Sequence, residues 1–180
     1  NGFGTLALRT DGYVYFNPDG ISPSDLTEDD IVVYSSGKAS GNFKSRYLAL
    51  ILKIFEKNPE AKAVFVSAPA ATMGFALSHE KFDARLIPES YIMLRDVIRL
   101  EHSAMADCDG IAEAVCVSSP VAVIDNECVI TIGKNATKAF DRLEVLDYSA
   151  RSVLLARPVA DIAPINDDRV GEINSVFNGW

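Results

Sequence analysis

The stretch from Val121 to Ala156, VAVIDNECVITIGKNATKAFDRLEVLDYSARSVLLA, constrains the fold more than any other part of the chain. Two β-branched runs, Val121–Ile124 and Val129–Ile132, flank Asp125, Asn126 and Glu127, a pattern that predicts strand, turn and strand. Gly133 ends the second strand. Asn135 or Thr137 then caps a helix, because a short polar side chain accepts a hydrogen bond from a free N–H of the first turn. Ala139, Phe140, Leu143, Leu146, Ala150, Val153 and Leu154 follow at steps of three and four, forming one apolar stripe on a long helix. Arg142, Glu144 and Arg151 lie off that stripe and are expected to face water.

Upstream, Thr5 to Arg9 alternates, Asp11-Gly12 turns, and Tyr13 to Phe16 runs apolar, which reads as a β-hairpin. Asn17-Pro18-Asp19-Gly20 is a further turn. A strand is expected over Ile31–Tyr34, a polar loop from Ser35 to Asn42, and a helix from Ser45 to Lys57, where Leu48, Ile51, Leu52 and Phe55 share a face and Asn58-Pro59 stops it. Ala61 to Val66 reads as a buried strand, followed by a small-residue helix over Pro69 to Leu77. Asp83 to Leu100 mixes strand and loop signals. Gly110 to Val115 reads as a short helix capped by the preceding Asp107-Cys108-Asp109. That acidic run lacks the remaining ligand positions of a calcium loop. The tail has one apolar-spaced turn at Val170, Ile173, Val176 and Phe177.

These segments, in this order, resemble the class II aldolase/adducin family, which includes sugar-phosphate aldolases, ribulose-phosphate 4-epimerases and the adducin head domain. The family's Asn-His-Gly, strand, Gly-Lys, helix pattern is met by Asn126-Glu127-Cys128, Val129–Ile132, Gly133-Lys134, and Ala139-Phe140 followed by Glu144. Its Gly-Asn-x-Ser-x-Arg opening is met by Gly4 to Arg9, and its Thr-Pro-x-Gly by Asn17-Pro18-Asp19-Gly20. The resemblance implies an α/β fold: a central, mostly antiparallel sheet with helices on both faces, one domain over residues 1–180, with the family's N-terminal helix missing from them. It also implies a homo-oligomer, tetramer or dimer, with sites at subunit borders.

The positions that carry the family's chemistry are changed. The three zinc histidines fall on Val66, Ala68 and Glu127, and the catalytic glutamate falls on Tyr47. A zinc lyase needs about three protein ligands and an open position. The resemblance therefore implies a chain with no cofactor and no zinc-dependent aldolase activity. Glu127 is read as a solvated turn residue, and His79 and His102 as surface residues. An anion site is expected at Lys44, Ser45 and Arg46, with Asn17 and Gly20, because two cations and a hydroxyl precede a predicted helix start whose free N–H groups favour negative charge. The alternative is a plain solvated helix start. Asp19 is expected to repel an anion held there.

Composition narrows the partners. The net charge of −8 argues against a non-specific nucleic-acid or anionic-membrane binder. Three cysteines without a paired framework, Cys108, Cys116 and Cys128, fit a reducing, cytoplasmic setting, and Cys116 and Cys128 are read as inert apolar packing. Three readings stay open: a structural or regulatory member of the fold, a metal-free enzyme using the same cleft on an anionic sugar, and a zinc sugar-phosphate aldolase.

Overall fold

The structure, a computed structural model, describes residues 4–40 and 45–177. The hairpin predicted at the start is present as β1 (Thr5–Thr10) and β2 (Tyr13–Phe16), joined at Asp11-Gly12. They are followed by β3 (Val32–Ser35), β4 (Lys38–Ala39), helix α1 (Leu48–Lys57), β5 (Ala63–Ser67) and α2 (Ala70–Ser78). Then come α3 (Pro88–Leu94), β6 (Val97–Leu100), α4 (Cys108–Ala114), β7 (Val121–Ile124), β8 (Cys128–Gly133), α5 (Ala136–Ala156) and α6 (Asp167–Val176).

The eight strands form one sheet in the order β4-β3-β2-β1-β5-β8-β7-β6. Every ladder is antiparallel except β6–β7, where Val97 to Leu100 run parallel to Val121 to Ile124. Helices cover both faces. On one, α1 and α4 pack Ile51, Ile54, Phe55 and Ile111 over Val64, Val66, Ile130 and Ile132. On the other, α2, α3 and α5 pack Phe75, Leu94, Leu146 and Ala150 over Val121, Val123 and Val129. The alternation of side chains along a strand sends Ala122 and Ile124 to the first face and Val121 and Val123 to the second. That is why β7 is a continuous apolar run with every residue buried. Each large side chain buried this way contributes about 1.5–3 kcal/mol.

The turn into α5 follows the sequence reading. Asn135 caps the helix, its side chain accepting the Lys138 N–H at 2.8 Å. Gly133 is required, since a Cβ there would sit 2.4 Å from the Ala139 nitrogen. Asp107 likewise caps α4 by accepting the Gly110 N–H at 3.0 Å.

Several expectations are corrected. Helix α1 begins at Leu48, not Ser45, because the Arg46 N–H is already bound by Asp19 at 2.8 Å and the apolar spacing starts only at Leu48. The segment read as mixed strand and loop holds α3, with Pro88 in the first turn, where its missing N–H costs nothing. The polar loop after Ser35 contains β4, reached through Ser36 and Gly37, both at positive φ, the two-residue turn that matches strand twist. Strand β3 starts at Val32, one residue later than expected. On α5, Phe140 and Leu154 are partly exposed, at 43% and 37%. Arg142 does not face water: it is half-buried and donates to the carbonyls of Met93 at 3.2 Å and Ile132 at 2.5 Å. Burial, and secondly the charge of Arg95, push its pKa down.

Candidate functional site

The β7–β8 turn, with Asn126 at φ 57°, presents two carboxylates to different sets of partners. Asp125 is 2% exposed and takes a two-pronged grip from Arg99, Nε to Oδ1 at 2.9 Å and Nη2 to Oδ2 at 2.5 Å. The His79 Nδ1 lies 3.5 Å from the same carboxylate. Arg99 reaches it because β6 runs parallel to β7, with Arg99 opposite Val123.

Glu127 is the second carboxylate, and it is not the solvated turn residue that the sequence suggests. Its side chain is 9% exposed. One oxygen, Oε1, accepts from the Tyr47 hydroxyl at 2.9 Å and from the Arg46 guanidinium, which also stacks over the Tyr47 ring at 5.0 Å. The other, Oε2, has the His102 Nδ1 at 3.9 Å. His102 and His79 are exposed, as expected for surface residues, yet each faces a buried carboxylate. The sequence holds no signal for those pairings, which arise from elements far apart in the chain.

The protons of this corner are held tightly. Burial, the neighbouring Cys128 thiol and the hydrogen bond to Glu127 push the Tyr47 pKa up, so the phenol stays protonated. Burial, with the Glu127 charge second, pushes the Cys128 thiol up to about 12, so it is no nucleophile at neutral pH. Cys116 is partly exposed rather than enclosed in apolar packing. Its thiol sits 3.1 Å from the Ser118 hydroxyl, which lowers its pKa.

The residues that the resemblance sets at the family's zinc positions, Val66, Ala68 and Glu127, make no zinc ligand set of their own. Val66 points into the core beneath α1 and is fully buried, Ala68 has no donor atom, and Glu127 is engaged by Arg46 and Tyr47. Among the described residues, no group of three or more His, Cys, Asp or Glu side chains converges.

The residues expected to hold an anion are brought together in part. Asn17 is spent on the backbone, accepting the Leu6 N–H at 2.7 Å and donating to the Gly4 carbonyl at 2.9 Å. Gly20, at φ 89°, shapes the loop that carries Asp19 to the Arg46 N–H. Among the described residues the buried Ser45 hydroxyl has no hydrogen-bond partner. Lys44 lies outside the described residues.

The family model described as Class II Aldolase and Adducin N-terminal domain matches residues 1–154. An L-fuculose phosphate aldolase from Methanococcus vannielii is 28% identical over 152 residues, with 82% of each chain covered. A second, from Methanococcus maripaludis, is 24% identical over 151 residues, again with 82% of each chain covered. Among solved structures, an L-fuculose 1-phosphate aldolase superposes with a TM-score of 0.83 at 16% identity, covering 99% of this chain and 87% of that one. The L-fuculose 1-phosphate aldolase from Glaciozyma antarctica gives 0.80 at 18% identity, covering 97% and 72%. At such identities the structural likeness is one of fold. The match over residues 1–154 goes further: the chain belongs to the class II aldolase and adducin N-terminal domain family.

Proposed function

We propose that this protein is a member of the family without zinc-dependent aldolase activity, acting as a structural, regulatory or ligand-binding homo-oligomer, tetramer or dimer, in the cytoplasm. The observation that carries this reading is the Arg46–Glu127–Tyr47 cluster. A carboxylate stands where the family places a zinc histidine, and an internal cation and phenol already satisfy it. A metal would have to displace Arg46 and find further ligands where Val66 and Ala68 supply none. Assembly is supported by large apolar side chains left in water, Tyr148 at 63%, Leu155 at 69% and Val159 at 84% exposed. The cytoplasmic setting is supported by three free cysteines. No helix among the described residues is long and apolar enough to cross a membrane.

The deciding experiment is elemental analysis of the purified protein combined with a cleavage assay on L-fuculose 1-phosphate in added zinc. The expected result is well under one zinc per chain and no cleavage. Close to one zinc per chain together with turnover overturns the reading.

A second reading, metal-free acid–base chemistry on an anionic sugar, has one observation in its favour. His102 presents an exposed imidazole backed by the Glu127 carboxylate, an arrangement that orients a general base. The expected weak anion site at Ser45 and Arg46 belongs to either reading. Any anion there competes with Asp19 for the Arg46 N–H.

A further inference from the structure

On the opposite face of the sheet from Tyr47, the residue after α3 is Arg95, at φ 57° and ψ −125°. A positive φ at a bulky residue is strained, and glycine is the usual occupant. Such strain persists where the surroundings need that side chain in that place. The Arg95 guanidinium donates to the Asn174 side-chain oxygen at 3.4 Å and to the Phe177 carbonyl at 3.1 Å, both neutral acceptors. Behind it lies Arg142, whose acceptors are also neutral carbonyls and whose charge is disfavoured by Arg95 as well as by burial. Among the described residues neither arginine has an ion-pair partner, in a chain of net charge −8.

Arg95 opens on a cleft of about 620 Å³ lined also by Lys81, Asp83, Arg85, Tyr91 and Asp96. Lys81 pairs with Asp96 at 3.1 Å, and Arg85 with Asp83 at 3.3 Å and with Asp167 at 3.6 Å, so these two cations are already matched by carboxylates. The Arg95 guanidinium, with the charge of Arg142 close by, has no carboxylate partner of its own among the described residues. A guanidinium of this kind matches an oxyanion through two parallel hydrogen bonds. The volume exceeds a bare ion and falls in the range of small-molecule sites.

We propose that the cleft beside Arg95 binds a small organic molecule with an oxyanion head, phosphate or carboxylate, whose charge Arg95 neutralises. This does not depend on how the Glu127 corner functions.

The test is an amide chemical-shift titration of the whole chain at constant ionic strength, with inorganic phosphate in one arm and acetate in the other. At least one arm is expected to move the amides of residues 91–97 with a millimolar midpoint, and the arm that does so identifies the head group. Arg95→Gly keeps a backbone that suits glycine and is expected to weaken those shifts at least tenfold. Lys81→Gln, at an exposed position, is expected to weaken them two- to fivefold, and Arg46→Ala to leave them unchanged. Silence of these amides in both arms up to about 50 mM, well beyond the millimolar range, overturns the proposal. So does an Arg95→Gly protein that binds like the parent, or loss of the shifts in Arg46→Ala.

Discussion

Arg46 and Arg95 make an instructive pair. Both are arginines at the edge of a helix, one just before α1 and the other just after α3. Arg46 is closed off from within: Glu127 takes its guanidinium and Asp19 its backbone N–H. Among the described residues Arg95 meets only neutral acceptors, and it faces an open cleft. Positive charge in this acidic chain is therefore available for binding at one end and consumed at the other. What decides is whether the fold supplies its own carboxylate, which the mere presence of an arginine does not reveal.

The two corners part most widely in alkali, because the one around Glu127 depends on the protons of Cys128 and Tyr47. Cys128, with an ordinary pKa near 9, is raised to about 12, and Tyr47 is raised above its ordinary 10. For both, the folded value exceeds the unfolded one. Their stabilisation is complete below about pH 9 and is lost as pH rises toward 12. At about 1.4 kcal/mol per pH unit, Cys128 alone accounts for a loss on the order of 4 kcal/mol across that window. Urea unfolding at a series of pH values checks this, and Cys128→Ala is expected to flatten the decline. An equal decline in the variant removes Cys128 from the account.

Deleting the carboxylate is the next largest perturbation. Glu127→Ala removes the carboxylate that accepts from the buried Tyr47 hydroxyl at 2.9 Å, and losing such a buried, charge-assisted hydrogen bond costs about 1–3 kcal/mol. Arg46 is 54% exposed and can turn to water, so little is added for its lost partner. A loss of about 2 kcal/mol in equilibrium unfolding is expected. A variant as stable as the parent means that water already serves the corner.

The smallest effect sharpens the contrast by opening the closed end. Asp19→Asn removes the charge beside the Arg46 N–H. Phosphate affinity measured at the Arg46 amide is expected to rise about threefold, corresponding to the roughly 1 kcal/mol or less that an exposed charge contact is worth. No change, or weaker binding, means that Asp19 organises this loop rather than blocking it.

Much of the fold was legible because its signals are local. The strand, turn, strand and capped helix from Val121 to Ala156 rest on periodicity and on Asn135, and the structure places them within a residue or two. The family resemblance rested on the same stretch. Helix α3 was obscured because Pro88 looks like a breaker unless it is recognised as a first-turn residue. The site was less legible still. Glu127 reads as a turn carboxylate until Arg46 and Tyr47, some 80 residues earlier, are brought against it. Arg142 reads as solvent-facing until Met93 is seen to supply a carbonyl. In both cases the deciding partner comes from another element, and helical or strand spacing carries no information about it.

The strand order has a consequence for how the chain reaches this state. β1 to β4 form a meander of neighbours, and β6 to β8 another group, in which β6 crosses to β7 through the segment that carries α4 and β7 turns directly into β8. Only β5 joins them, pairing Ala63 with Leu8 on one side and with Gly133 on the other. These are the longest loops that any ladder of the sheet closes, and their closure entropy is spent before the core on either face exists. Folding should therefore wait on the docking of β5, with two half-sheets exposing unpaired edges at β1 and β8 until then. Substitutions in β5 such as Val64→Ala should slow refolding, while equally destabilising ones in β3 should mainly speed unfolding.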